Sequence, residues 1–141
     1  MPTEKILVDT GPIVTALRSR DQHHAPCSVP LRTLSAPLYI CWPVLTEAAW
    51  LLRLQPSRVR DFLNTFDGNP FEIVTLRSDD LPIINEFLAK YEDQRIQLAD
   101  AYLIHHAGEL DTDHIFTVDQ TDFHIYRTPN GKPFRILPET E

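Results

Sequence analysis

Glycine is scarce in this chain: there are four in 141 residues, Gly11, Gly68, Gly108 and Gly131, and no two lie close together. A dinucleotide fingerprint and a phosphate-cradling P-loop both need clustered glycines, so neither can be assembled here. Cysteine is scarcer still. Cys27 and Cys41 stand 14 positions apart without a CxxC pair, a pattern that fits reduced thiols in a cytoplasm and not a disulfide framework. Long apolar runs are missing too: nothing approaches the roughly 18 residues of a membrane span. The polar stretch Met1 to Lys5 leads into Ile6-Leu7-Val8 with no signal-type apolar core. Positive charge is in deficit, 13 Lys+Arg against 20 Asp+Glu for a net charge of −7. That balance argues against a purely electrostatic nucleic-acid coat, while a nucleic-acid enzyme with local basic ground stays open. The expectation is a soluble, cytoplasmic protein without membrane contact.

What is present suits one domain over residues 1–141. With 43% hydrophobic and 23% charged residues and a mean hydropathy of −0.22, disordered, collagenous and coiled-coil classes are excluded. A chain this long buries about 68–70% of its unfolded surface. Short apolar runs alternate with longer amphipathic stretches. Ile6-Leu7-Val8 predicts a buried strand closed by Asp9-Thr10-Gly11-Pro12, followed by a short helix from Ile13 to Arg20. Leu38 to Cys41 predicts a second strand. Pro43 opens a helix through Leu54, and Ser57 to Phe66 makes another before the breaker Asp67-Gly68-Asn69-Pro70. Phe71 to Leu76 is a third strand, and Ser78-Asp79-Asp80 an N-cap for a helix from about Leu81 to Tyr91. An Ala-rich helix spans Gln97 to Leu110, and Ile115 to Val118 is a fourth strand. Asn130-Gly131 in the tail predicts a hairpin or short edge strand. Asp21 to Pro37, with three prolines, reads as an irregular connection containing some helix. The class is α/β with a mainly parallel sheet and helices on both faces, and ligands in such sheets bind at the carboxyl ends of strands near a topological switch point.

Four acids fall where that rule puts a site. Asp9 ends the first strand; by itself it also suits an Asx turn or N-cap. Glu47 is the only charge between Pro43 and Arg53, so although the helix dipole favours an acid there, its apolar neighbours ask for a cation or strong donors. Asp100 interrupts the apolar start Leu98-Ala99-Asp100-Ala101-Tyr102-Leu103, where it could serve as the N-cap or face a site between closely packed elements. Asp119 closes the fourth strand as Asp9 closes the first, and Asp122 either joins it or caps the loop. Gathered on one sheet edge, such carboxylates repel unless protonated or neutralised by a bound cation. An all-oxygen set selects Mg²⁺ or Mn²⁺ over zinc, the arrangement used in metal-assisted phosphodiester hydrolysis.

The series Ile6-Leu7-Val8-Asp9-Thr10-Gly11-Pro12, Thr46-Glu47-Ala48, Leu98-Ala99-Asp100-Ala101 and Phe116-Thr117-Val118-Asp119 with Asp122-Phe123 resembles the PIN-domain nucleases. In particular it resembles the toxin components of bacterial VapBC-type toxin–antitoxin pairs. The resemblance runs along nearly the whole chain. It implies a three-layer α/β/α PIN-like domain with a central sheet of four to five strands. The implied activity is Mg²⁺- or Mn²⁺-dependent endoribonuclease cleavage of RNA, leaving a 3′-hydroxyl and a 5′-phosphate. A small antitoxin partner and a homodimer come with it. Carried over, Asp9, Glu47, Asp100 and Asp119 form the catalytic quartet, with Asp9, Asp100 and Asp119 as metal ligands. Thr10 and Thr117 orient ligands or water, and Asp122 supports from outside. Gln97 departs from the family, many of whose members carry an acid near that position, and this favours one bound ion over two. Two readings compete: a non-catalytic PIN-like module that binds RNA or protein, and a DNA-directed nuclease.

Other residues carry less. His23-His24 and His105-His106 lack the i, i+4 spacing of a helical zinc pair and read as surface or capping histidines. Asp9-Thr10-Gly11 superficially matches the haloacid-dehalogenase phosphatases, but Gly11 occupies the place of their second Asp. Ser28 and Ser35 have no nucleophile motif around them. Arg18 and Arg20, or Arg53, Arg58 and Arg60 around Pro56, offer phosphate contacts, with helix-end solvation as the alternative. Trp42, Trp50, Tyr39 and Phe62 read mostly as core or interface aromatics, and the Trp42 to Leu54 and Val59 to Phe66 segments as apolar surface for the homodimer.

Overall fold

The computed structural model describes residues 5–18, 37–64 and 71–137. Strand β1 (Ile6–Val8) leads into helix α1 (Thr10–Leu17), and β2 (Leu38–Cys41) into α2 (Trp42–Leu51) and α3 (Pro56–Asn64). Strand β3 (Phe71–Val74) is followed by a 3₁₀ turn (Ser78–Asp80) and α4 (Leu81–Lys90). A second 3₁₀ turn (Glu92–Gln94) precedes the long α5 (Leu98–Leu110), after which come β4 (His114–Phe116), α6 (Gln120–Ile125) and β5 (Arg135–Leu137). All strand pairs are parallel, in the order β3-β2-β1-β4-β5.

That order fixes where a site can form. The chain builds outward from β1 through β2 to β3, then returns to start again with β4 on the opposite side of β1. Right-handed crossovers therefore lay the first helices on one face and the later ones on the other, and the direction reverses between β1 and β4. Ile6, Leu7 and Val8 are all buried, as a central strand covered on both faces requires. Leu38, Ile40, Ile115, Phe116, Leu103 and Ile104 complete the middle of the core.

Boundaries shift where local chemistry outweighs periodicity. Helix α1 starts at Thr10, because Asp9 is its N-cap, and α2 starts at Trp42 with Pro43 in its first turn. Helix α2 stops at Leu51 rather than Leu54, since the residue before Pro56 is steered out of the helical region; Gln55 N–H closes a turn onto the Leu52 carbonyl instead. Helix α5 is capped by Gln97, so Asp100 is not an N-cap but a first-turn residue. Strand β4 ends at Phe116, one register short of Thr117. In the tail both expectations hold: an isolated antiparallel bridge joins Arg127 and Pro133 around Gly131, whose φ of 83° suits glycine, and β5 then pairs at the sheet edge. The connection from Asp21, the histidines His23-His24, Cys27, Ser28, Ser35, Arg20 and the breaker around Gly68 lie outside the described residues.

Candidate active site

The first strand delivers Asp9 to the switch point, and both of its oxygens are engaged. The Thr10 backbone N–H donates to Oδ1 at 2.7 Å, the helix cap. The Thr117 hydroxyl donates to Oδ2 at 2.8 Å from the end of β4. Thr117 Oγ1 in turn accepts the Asp119 backbone N–H at 3.0 Å, so one buried hydroxyl ties together the loops after β1 and β4. Asp119 caps α6, its Oδ1 accepting the Asp122 N–H at 3.4 Å. Gly11 is needed for this closeness: a Cβ there would stand 2.4 Å from Val118 Cγ2.

Asp100 reaches the same region from the first turn of α5, and the Tyr126 hydroxyl donates to its Oδ2 at 3.2 Å. Tyr126 is fully buried, its ring held edge-on by Tyr91 at 5.0 Å and Phe123 at 5.2 Å. Composition and spacing placed Tyr126 beside the tail turn and missed this role; no local sequence signal marks it, because it arises where the residue after α6 meets the first turn of α5. Glu47 sits half-buried in the second turn of α2.

The acids influence one another electrically. Burial raises Asp9 above the ordinary carboxylate range, the Thr117 and Thr10 hydrogen bonds oppose it, and the charges of Glu47 and Asp119 raise it further. Burial, then the charge of Asp9, pushes Asp100 up to about 7, with Tyr126 opposing and Asp119 and Asp122 adding. Asp122 is raised by its hydrogen bond to Asp119. The free Cys41 thiol behind the site is pushed up to about 12, chiefly by burial, with Asp9 and Asp100 contributing. Every charge that acts on Asp9 and Asp100 belongs to another carboxylate, the mark of a cluster short of positive charge. The donors are all oxygen, and the Thr10 hydroxyl, buried beside Asp9, has no hydrogen-bond partner among the described residues. Such a set fits a hard divalent cation.

Residues 6–128 match the family model of the PIN domain. The chain belongs to the PIN domain family. As a PIN domain it is 24% identical over 135 residues to Ribonuclease VapC26 of Mycobacterium tuberculosis (strain ATCC 25618 / H37Rv), an alignment covering 94% of this chain and all 100% of that one. Its fold is similar to the crystal structure of Mycobacterium tuberculosis VapC20, a Sarcin-Ricin loop cleaving toxin. That match has a TM-score of 0.74 and 14% identity, and covers 82% of this chain and 91% of that chain.

Elsewhere in the PIN domain, several expectations meet different surroundings. His105 and His106 are not surface or capping residues: both are buried in α5, because the helix turns their shared side toward α4 and the core. Burial lowers His106 below the usual histidine range, with Glu109 opposing. Arg18 Nη2 donates to the Leu51 carbonyl at 2.6 Å and Arg53 Nη1 to Trp50 at 2.9 Å, the helix-end alternative for both. Arg58 and Arg60 are exposed. Phe62 is core, whereas Trp42 is 52% and Trp50 62% exposed; the Arg53 guanidinium lies 3.8 Å over the Trp50 ring. A hollow of about 500 Å³ opens at the amino end of the strands between Lys5, His114 and Lys132 and contains none of the predicted acids. No described helix is long and apolar enough to cross a membrane.

Proposed function

We propose that the chain is a metal-dependent endoribonuclease, the toxin of a toxin–antitoxin pair, acting in the cytoplasm. The single observation that carries this is the mutual influence of Asp9, Asp100 and Asp119 at the switch point, acids of one sign, with Asp9 and Asp100 each raised by the charge of another and no offsetting cation acting on either among the described residues. The family and the names of its relatives support the RNA substrate.

Asp9, Asp100 and Asp119 would hold Mg²⁺ or Mn²⁺, with Glu47 completing the quartet. Bound there, the ion supplies an activated water and stabilises charge on the leaving oxygen. The protein's part is preorganisation. Thr117 fixes the Asp9 carboxylate from one side and the α1 amide from the other, so Asp9 cannot swing toward solvent. Tyr126 orients Asp100 and keeps one of its lone pairs occupied. Thr10 retains a free hydroxyl for water, and Asp122 holds Asp119 by its amide. With Gln97 exposed and neutral, one ion rather than two is the expected load. Of the arginines that the sequence offered for phosphate, Arg58 and Arg60 are exposed and remain available for it.

The exposed Trp42, Trp50, Leu51, Leu54 and Leu63 form apolar ground suited to a homodimer or an antitoxin. Light scattering at micromolar concentration should give a dimer; a monomer counts against that part of the reading. The main test is cleavage of a cellular RNA pool, and of matched RNA and DNA strands, with Mn²⁺, Mg²⁺ or EDTA, wild type beside Asp9→Asn. Metal-dependent RNA cutting lost in the variant is expected. Equal activity of the variant would sink the site, preferential DNA cutting would favour the DNA-directed reading, and absence of metal binding would favour a non-catalytic module.

A further inference from the structure

A second group of ligating side chains lies on the far side of α5. His105 and Glu109, one turn apart, face Asp80 at the end of the first 3₁₀ turn. His105 Nε2 is 3.3 Å from Glu109 Oε1 and 3.9 Å from Asp80 Oδ1. The three donor atoms all lie within 4.8 Å of one another, and among the described residues no other trio of histidine, cysteine or acid meets that spacing. The His105 side chain is 10% exposed, and its Nε2 is buried without a hydrogen-bond partner among the described residues. The nearby Glu109 oxygen is close but out of line for an N–H donor. An unpaired buried ring nitrogen facing two carboxylates is costly as it stands, and a cation between them would satisfy all three.

From this geometry we infer that Asp80, His105 and Glu109 form a site for a zinc-class divalent transition-metal ion, separate from the acidic quartet. The donor chemistry differs in kind: imidazole with carboxylates suits zinc and its neighbours, whereas an oxygen-only set suits magnesium. Ligands about 2.0–2.2 Å from a tetrahedral ion stand roughly 3.4 Å apart, so the 3.3 Å pair already fits, while Asp80, 3.9 Å from His105 Nε2 and within 4.8 Å of Glu109, would move inward. Glu109 is also steered from behind, since His106 Nδ1 contacts the same Oε1 at 2.8 Å, an outer partner of the sort that orients metal-binding carboxylates. Asp80 and Glu109 are partly exposed, leaving a solvent-facing position for water and an entry path. Residues 105 and 109 point roughly 140–180° around the helix from Asp100, so the two sites occupy opposite faces. The ion would clamp the start of α4 to α5, the helix that presents Asp100.

The test is a titration of the chelator-treated full chain with Zn²⁺, against a chromophoric competitor, and with Co²⁺, reading its visible d–d absorption. Wild type, Asp100→Asn, Glu109→Gln and His105→Gln are compared. One zinc equivalent is expected in wild type and in Asp100→Asn, with Co²⁺ bands of a nitrogen–oxygen site of low coordination number. Affinity should fall at least about tenfold in Glu109→Gln, and zinc should no longer raise its melting temperature. His105→Gln changes a buried residue, so the partly exposed Glu109→Gln decides the matter if the former does not fold. The same zinc equivalent in Glu109→Gln as in wild type, or none remaining in Asp100→Asn, overturns the proposal.

Discussion

Helix α5 carries a carboxylate near each end, and the two meet opposite surroundings. Asp100, in the first turn, is pushed up to about 7 by burial and then by the acids it faces, which come from the ends of β1 and β4 and from α6. Glu109, near the last turn, faces His105 and His106 and is only partly covered. One helix thus presents an oxygen-only cluster of like charges at one end and a mixed group of imidazole and carboxylate at the other. What separates them is partly the helix itself, which sets His105 and His106 beside Glu109, and partly the neighbouring elements, which bring Asp9 and Asp119 to Asp100.

The largest effect should come from neutralising the like-charged end. Asp100→Asn is expected to lower metal-dependent RNA cleavage by roughly a hundredfold or more, as loss of a few kcal/mol of transition-state stabilisation does, while the metal-free protein melts no lower than wild type. A lower melting temperature would mean that Asp100 is a structural acid after all. Next comes Gly11→Ala, whose Cβ would meet the stiff side chain of Val118 at 2.4 Å. The expected destabilisation is about 1–3 kcal/mol by denaturant unfolding, largely reversed by adding Val118→Ala; full tolerance would show that the two loops do not need this approach. Tyr126→Phe removes one donor to Asp100 and should cost about 1 kcal/mol, with activity dropping more than stability implies. A pH effect completes the series. The native state holds a proton on Asp100 that the unfolded chain has released between the ordinary carboxylate range and about 7. Stability of the metal-free protein therefore falls as pH rises through that window, and Asp100→Asn should flatten the slope. An unchanged slope would assign it to other groups.

Much of this was legible beforehand because it depends on short-range signals. Ile6-Leu7-Val8 could only be a buried strand, and an acid after it and another after Phe116-Thr117-Val118 already point to one sheet edge. The parallel order and the switch point follow from alternation of strand and helix. Illegible were the contacts made by elements distant in the chain. Nothing around Tyr126 announces a partner 26 residues away, and the burial of His105 and His106 depends on the 3₁₀ turn that sets α4 against them. Adjacent histidines look unsuited to a shared metal, and that reasoning stands. The trio uses only His105, with Glu109 supplying the i, i+4 partner and Asp80 coming from elsewhere.

The bond from Thr117 to Asp9 spans 108 positions, and β1 waits just as long for its neighbour β4. During synthesis, the first strand emerges with one flank unclaimed until the last quarter of the chain follows it. A ribosome that stops before Thr117 releases a product with an open central strand edge, prone to pairing with other chains, and with an Asp9 carboxylate that nothing on that side restrains. Assembly of the acidic centre is thus among the last events of folding, and an unfinished copy is unable to cut.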